Sequence, residues 1–247
     1  MNSFIGWVGG KKQLRKEIIA RFPSEFKRYI EVFGGAGWVL FAKEKSNLEV
    51  EIFNDIDSEL INLYRCIKYH CEALQEELNW LTISREQFLD SKNQMSITGL
   101  TDIQRAARYF HLIKTSFCSE RKSFGIGKQN FISALEYLPK IKERLKNTII
   151  ENKDFESLIK SHDRDNALFY LDPPYNKTEK YYSNNFSVED HVRLNEILKS
   201  IKGKFILSYN DDGFIRELYK DFNIEEISRN NNFNRKPFKE LIIRNYI

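Results

Sequence analysis

The sequence predicts a doubly wound α/β fold, a mostly parallel sheet of about seven strands interrupted by a helical insertion. Three observations predict it. Strand-like and helix-like segments alternate at both ends of the chain, residues 58–146 carry helical spacing, and a glycine-rich turn directly follows the first strand.

In chain order, Tyr29-Ile30-Glu31-Val32-Phe33 reads as a strand closed by Gly34-Gly35-Ala36-Gly37, and Trp38 to Lys45 as a helix. Glu49 to Phe53 alternates with period two and ends at Asn54-Asp55, the second strand. Strand, turn, helix and strand in this order open a parallel sheet through a crossover. Three apolar sets then recur at helical spacing: Leu60, Ile61, Leu63, Tyr64 and Ile67; Ala106, Ala107, Phe110 and Ile113; Leu135, Leu138, Ile141 and Leu145. Between the last two lies Ser119 to Asn130, polar and basic with Gly125 and Gly127, which reads as a hairpin or loop.

Strand signals resume at Thr148–Glu151, Ala167–Leu171, Phe205–Ser208, Ile224–Ile227 and Leu241–Ile243. Ser187-Val188-Glu189-Asp190 has the form of a capping box opening a helix to Ile201, and Phe214 to Tyr219 makes a further short helix. The predicted division is an α/β domain from 1–57 and 147–247, with 58–146 as a helical domain; the alternative is a larger helical layer of the same domain.

Composition narrows the class. With 41% hydrophobic residues, 12 Tyr and 19 Phe among 247, the chain is globular rather than disordered. It lacks the apolar run that a membrane-spanning helix needs, and Met1-Asn2-Ser3-Phe4 does not resemble a secretion signal. Three cysteines without disulfide-like spacing point to the reducing cytoplasm. Cys66, His70 and Cys71 lack a second ligand pair, so they read as core residues and no metal is expected.

The net charge is only +4, yet basic residues cluster at Lys11–Lys16, within 108–128 and within 229–244. Such clusters on a nearly neutral chain point to a polyanion-binding face.

Two motifs carry chemistry. Phe33 to Gly37 stands at the carboxyl end of the first strand, where glycines let the backbone approach a ligand. Asp55, at the end of the second strand, suits ribose hydroxyls; no third glycine stands in register, so NAD is a poor fit. The second motif, Asp172-Pro173-Pro174-Tyr175, ends the apolar strand at Leu171. Two prolines remove two backbone donors and stiffen the path. What remains is a carboxylate, free carbonyls and an aromatic ring, an acceptor clamp for a primary amine on a flat base. A third segment, Phe4 to Lys12, pairs Trp7 with a Gly9-Gly10 turn and Lys11; it serves equally as an ordered N-terminal arm.

Taken together, Trp7-Val8-Gly9-Gly10-Lys11, Phe33 to Gly37, Asn54-Asp55-Ile56 and Asp172 to Tyr175 resemble, in order, the Dam-like family of DNA adenine-N6 methyltransferases. Phe186 to His191 and Glu240 to Tyr246 are similar to the family's later helix start and last strand. The resemblance implies a Rossmann-like methyltransferase fold with S-adenosyl-L-methionine as methyl donor. By motif position, Trp7, Lys11, Asp55 and Asp172 would contact it and Phe33, Gly35 and Gly37 would shape its pocket. Asp154 matches the contact to its adenine ring. Asp172, Pro173, Pro174 and Tyr175 would be catalytic, acting on an extruded adenine.

The resemblance also makes double-stranded DNA the partner, read by a monomer through the 58–146 insertion. Lys114, Ser119, Arg121, Lys122, Ser123, Lys128 and Asn130 are the expected contacts there, with Arg235 and Lys236 as a second clamp. GATC is the leading site, although Gly6 stands where GATC-reading members usually carry Lys. The rivals are an RNA or other amine methyltransferase, and a nucleic-acid-binding protein with an inactive core.

Overall fold

The computed structural model describes residues 1–125, 131–175, 186–230 and 237–247, and of residues 229, 230, 237 and 238 only the backbone. Seven strands form one sheet: β1 (Arg28–Glu31), β2 (Val50–Asn54), β3 (Ile149–Glu151), β4 (Ala167–Leu171), β5 (Lys204–Asn210), β6 (Asn223–Asn230) and β7 (Pro237–Arg244). Their order is β3-β2-β1-β4-β5-β7-β6. Pairs from β3 to β5 are parallel, and β7 runs antiparallel between β5 and β6. The sheet is therefore mostly parallel and doubly wound, with its topological switch between β1 and β4.

Alternation along the strands explains the two layers. Tyr29, Leu168 and Tyr170 join one core while Ile30, Phe169 and Leu171 join the other. Both faces of β4 are buried, which is why its sequence reads as a continuous apolar run. The first core is covered by α1 (Arg15–Ile19), α2 (Trp38–Ala42), α3 (Ser58–Asn79), α5 (Asp102–Thr115) and α6 (Phe131–Leu145). The second is covered by α7 (Phe155–His162), α8 (Val188–Ser200) and α9 (Gly213–Leu218).

The segment 58–146 is helical, with α4 (Arg85–Gln94) between α3 and α5. Leu60, Ile61 and Tyr64 of α3 share one core with Phe53 of β2 and Phe41 of α2, and Tyr64 stacks on Phe53 at 4.2 Å between ring centres. A second tie is ionic: Arg144 of α6 makes a bidentate pair with Glu51 of β2, at 2.6 and 2.9 Å, and donates to the Leu40 carbonyl.

Local signals hold at several ends. Thr101 and Ser187 cap α5 and α8 in reciprocal capping boxes, and Asp57 caps α3 by accepting from the Glu59 and Leu60 amides. Helix α2 stops at Ala42, three residues before the predicted Lys45. No described helix is long and apolar enough to cross a membrane.

Candidate active site

Parallel strands deliver their carboxyl ends to one edge, and the chemistry-bearing loops leave from there. Behind β1, the turn closes with a Gly37 amide to Gly34 carbonyl bond of 2.7 Å. Gly35 and Gly37 have φ of +48° and +64°, which side-chain-bearing residues rarely adopt. At Gly35 a Cβ would also fall 2.9 Å from Trp7 Nε1, so the indole lies directly against the turn. After β2, Asp55 accepts from the Gly35 amide at 2.8 Å and from the Asp57 amide at 2.9 Å. Burial pushes its carboxyl up to about 6, and those backbone donors only partly offset the shift.

Asp172, just past β4, stands across the cavity. Its Oδ1 accepts from Lys11 Nζ at 2.6 Å and from Ser208 Oγ at 2.9 Å. Burial raises the Asp172 carboxyl, the nearby Glu240 adds to the rise, and the Lys11 ammonium works against both. Lys11 also lies 3.9 Å from Glu240 Oε2 and 4.7 Å from the centre of the Tyr175 ring. The Tyr175 hydroxyl donates to Glu240 Oε2 at 3.0 Å.

These groups surround a cavity of about 280 Å³, lined among others by Trp7, Lys11, Phe33, Gly35, Asp55, Asp154, Asp172 and Pro174. Seven of the eight residues expected to hold a nucleotide cofactor therefore share one cavity. The eighth, Gly37, sits beneath it as the N-cap of α2. At one end Phe33, Phe155 and Phe186 meet with ring centres 5.7–5.8 Å apart. Asp154 is held there by Arg193 Nη2 at 3.1 and 3.2 Å, and the Arg193 guanidinium lies 4.3 Å over the Phe155 ring.

The expected DNA contacts are dispersed. Lys114 is half-buried, with Nζ 3.4 Å from the Phe4 carbonyl, and burial lowers its ammonium to about 8. Ser119 and Arg121 line the cofactor-side cavity, whereas Lys122 and Ser123 are exposed. The Lys122 carbonyl accepts from Lys92. Lys128, Asn130, Arg235 and Lys236 lie outside the described residues. Of the predicted hairpin, the described part is an antiparallel bridge of Ser116 with Phe124 around a short 3-10 turn, Phe117–Ser119.

Sequence reasoning did not single out Glu31, Ser208 or Arg193. Glu31 lines the cavity, accepts from the Tyr29 hydroxyl and the Leu40 amide, and is pushed up to about 8 by burial. Its place two residues before Phe33 was a usable signal; Ser208 and Arg193 had none beyond their elements.

An open, mostly parallel sheet with a glycine turn after β1 and buried carboxylates after β2 and β4 defines an α/β protein with a ligand cavity at the carboxyl ends of its strands. Comparison with known proteins makes the class specific. Residues 7–233 match the family model of the D12 class N6 adenine-specific DNA methyltransferases. The chain is 32% identical to the Type II methyltransferase M1.LlaDCHI of Lactococcus lactis subsp. cremoris, over 100% of this chain and 96% of that one. It is 30% identical to the Type II methyltransferase M.MjaIII of Methanocaldococcus jannaschii, over 98% of each, and 24% identical to a DNA adenine methylase of Haemophilus influenzae, over 99% and 92%. The chain belongs to the D12 class N6 adenine-specific DNA methyltransferase family and is an adenine-specific DNA methyltransferase.

Proposed function

We propose that this chain transfers a methyl group from S-adenosylmethionine to N6 of an adenine extruded from double-stranded DNA. The observation that carries this reading is one cavity lined by both Asp172-x-Pro174 and the Gly34-Gly35-Ala36 turn.

The residues present fit the cofactor. The absence of a Cβ at Gly35 lets Trp7 pack directly on the turn that lines the cavity, Asp55 offers a buried carboxylate to ribose hydroxyls, and Phe33, Phe155 and Phe186 form an apolar end beside Asp154 suited to a purine. Trp7, Lys11, Gly37 and Asp172 complete the set that would hold it. When bound, S-adenosylmethionine supplies an electrophilic methyl group on a sulfonium centre.

The chain's own residues do the rest. Asp172 and the Pro173 carbonyl accept the two N–H bonds of the adenine amine, which draws its lone pair out of conjugation. Pro173 and Pro174 contribute no competing donors, and Tyr175, anchored on Glu240, packs against the base. Lys11 and Ser208 orient the Asp172 carboxylate, and its raised proton affinity suits it to receive the proton the amine sheds. Holding the partners at near-attack distance supplies about 7–11 kcal/mol, and base extrusion costs a few kcal/mol.

In this reading 1–57 and 147–247 form the catalytic domain and 58–146 carries target recognition, with Lys114, Ser119, Arg121, Lys122, Ser123, Lys128 and Asn130 toward DNA and Arg235 and Lys236 on phosphates. The enzyme works as a monomer on cytoplasmic DNA, at GATC or a related site. The test is incubation with labelled S-adenosylmethionine and separate DNA and RNA pools. Label is expected in N6-methyladenine of DNA, and mapping it gives the recognition sequence; label in RNA alone, or in neither, overturns the reading.

A further inference from the structure

Arg121 belongs to the segment expected to read DNA, yet it is tied to the rim of the cofactor cavity. It follows the 3-10 turn in a stretch where Cys118, Ser119 and Arg121 all have positive φ, of 50°, 60° and 58°. Three consecutive features hold that backbone: the Ser116–Phe124 bridge, the Phe117 amide on the Ser123 carbonyl at 3.0 Å, and the Arg121 amide on Ser116 Oγ at 3.0 Å. Non-glycine residues persist in this region only where the surroundings fix them.

The Arg121 side chain ties that turn to its surroundings. Its guanidinium lies 5.2 Å over the Trp7 ring and 4.8 Å over the Tyr109 ring. It donates to the Tyr109 hydroxyl and stands 3.6 Å from Asp57 Oδ2, the same oxygen that accepts from Tyr109 at 2.7 Å. Two routes then lead to the cofactor turn. Trp7 lies against Gly35, and the Asp57 amide donates to Asp55, whose other oxygen accepts from the Gly35 amide.

We infer that Arg121 is a positioning residue that couples the two binding events, fixing the recognition turn to Trp7 and Asp57 so that a filled cofactor cavity tightens DNA binding. The inference rests on the proposed function. Where two sites are coupled through a shared element that both ligands order, each ligand tightens the other by the same factor. A guanidinium suits the role, since it stacks on rings and pairs with a carboxylate at once.

The experiment measures affinity for a labelled duplex carrying the mapped methylation site, with and without saturating S-adenosylhomocysteine. In the wild-type protein the ligand is expected to tighten DNA binding by about fivefold or more. In Arg121→Ala that ratio falls toward one, because affinity with the ligand drops further than affinity without it. Asp57→Asn keeps the helix cap but loses the charge, and it reduces the ratio with thermal stability near wild type; it decides the matter if Arg121→Ala does not fold. A ratio unchanged in the variants, or no coupling in the wild type, overturns the inference. So does an Arg121→Ala loss that is equal with and without the ligand, which would assign Arg121 to direct DNA contact. A wild-type protein that methylates no DNA defeats the proposed function instead, at the earlier mapping step.

Discussion

Lys11 Nζ donates to Asp172 Oδ1 at 2.6 Å, and the two side chains are 3% and 18% exposed. The pair joins the first motif to the fourth strand's end across 161 positions, so the Asp172 carboxylate is held by the N-terminal segment. A buried pair of this kind is costly to break from one side, because the remaining charge stays desolvated.

Asp172→Asn preserves an oxygen for Lys11 and Ser208 but loses the charge that the substrate amine meets. A hydrogen bond to a charged group contributes about 1.5–3 kcal/mol, so single-turnover methylation should fall about ten- to a hundredfold. Asp172→Ala should abolish it and also lower the melting temperature, since Lys11 loses its nearest partner and keeps the Gly9 carbonyl at 3.1 Å and Glu240 at 3.9 Å. Turnover near normal in the alanine variant would end the assignment of Asp172.

Cofactor affinity should depend on pH through Asp55. Its carboxyl titrates near about 6 in the free protein, and only the ionised form accepts from two ribose hydroxyls. Protonation therefore opposes binding as pH falls through that value, and affinity should drop about tenfold between pH 7 and 5. Calorimetric titration of S-adenosylhomocysteine checks this; Asp55→Asn should bind weakly with a flat profile over the same range.

Gly35→Ala places a methyl group 2.9 Å from Trp7 Nε1 on a backbone of φ +48°. A misplaced left-handed residue costs about 1–2 kcal/mol before any clash. Cofactor affinity should fall by at least about tenfold, with a smaller change in thermal stability because the turn lies at the sheet's open edge.

Arg144→Ala should act on stability rather than chemistry. It strips Glu51 of a bidentate partner, leaving Lys43 Nζ at 3.2 Å and the Thr148 hydroxyl, also at 3.2 Å. Removing one member of a buried pair costs about 3–5 kcal/mol, read by denaturant unfolding. Unchanged stability would mean that α6 is not anchored to β2 by this pair.

Much of the fold was legible because β4 is apolar throughout, the other parallel strands carry short apolar runs, and the loops after β1, β2 and β4 carry glycine, aspartate and proline. The elements that escaped reading have physical reasons. Helix α1 spans five residues, with Ile18 alone buried, and its basic residues masked it as a charged cluster. Helix α4 buries only Phe88 and Ser91, too few positions to display a period. In α7, Phe155, Leu158 and Ile159 have helical spacing, but eight residues hold too little of the period to single out a helix. At the site, Asp55, Asp172 and Gly35 were visible since their residue types and strand-end positions coincide. The proximity of Lys11 to Asp172 was not, because it arises from packing between distant segments. Arg121 was read as a DNA contact from its charge; its attachment to Trp7 and Tyr109 depends on aromatic neighbours that sequence spacing does not bring together.

Strand β7 enters the sheet between β5 and β6, and it carries Glu240, the acceptor beneath the Tyr175 hydroxyl. The Tyr175 hydroxyl is thereby tied to a residue 65 positions away, and loosening the β5–β7–β6 edge would release the ring.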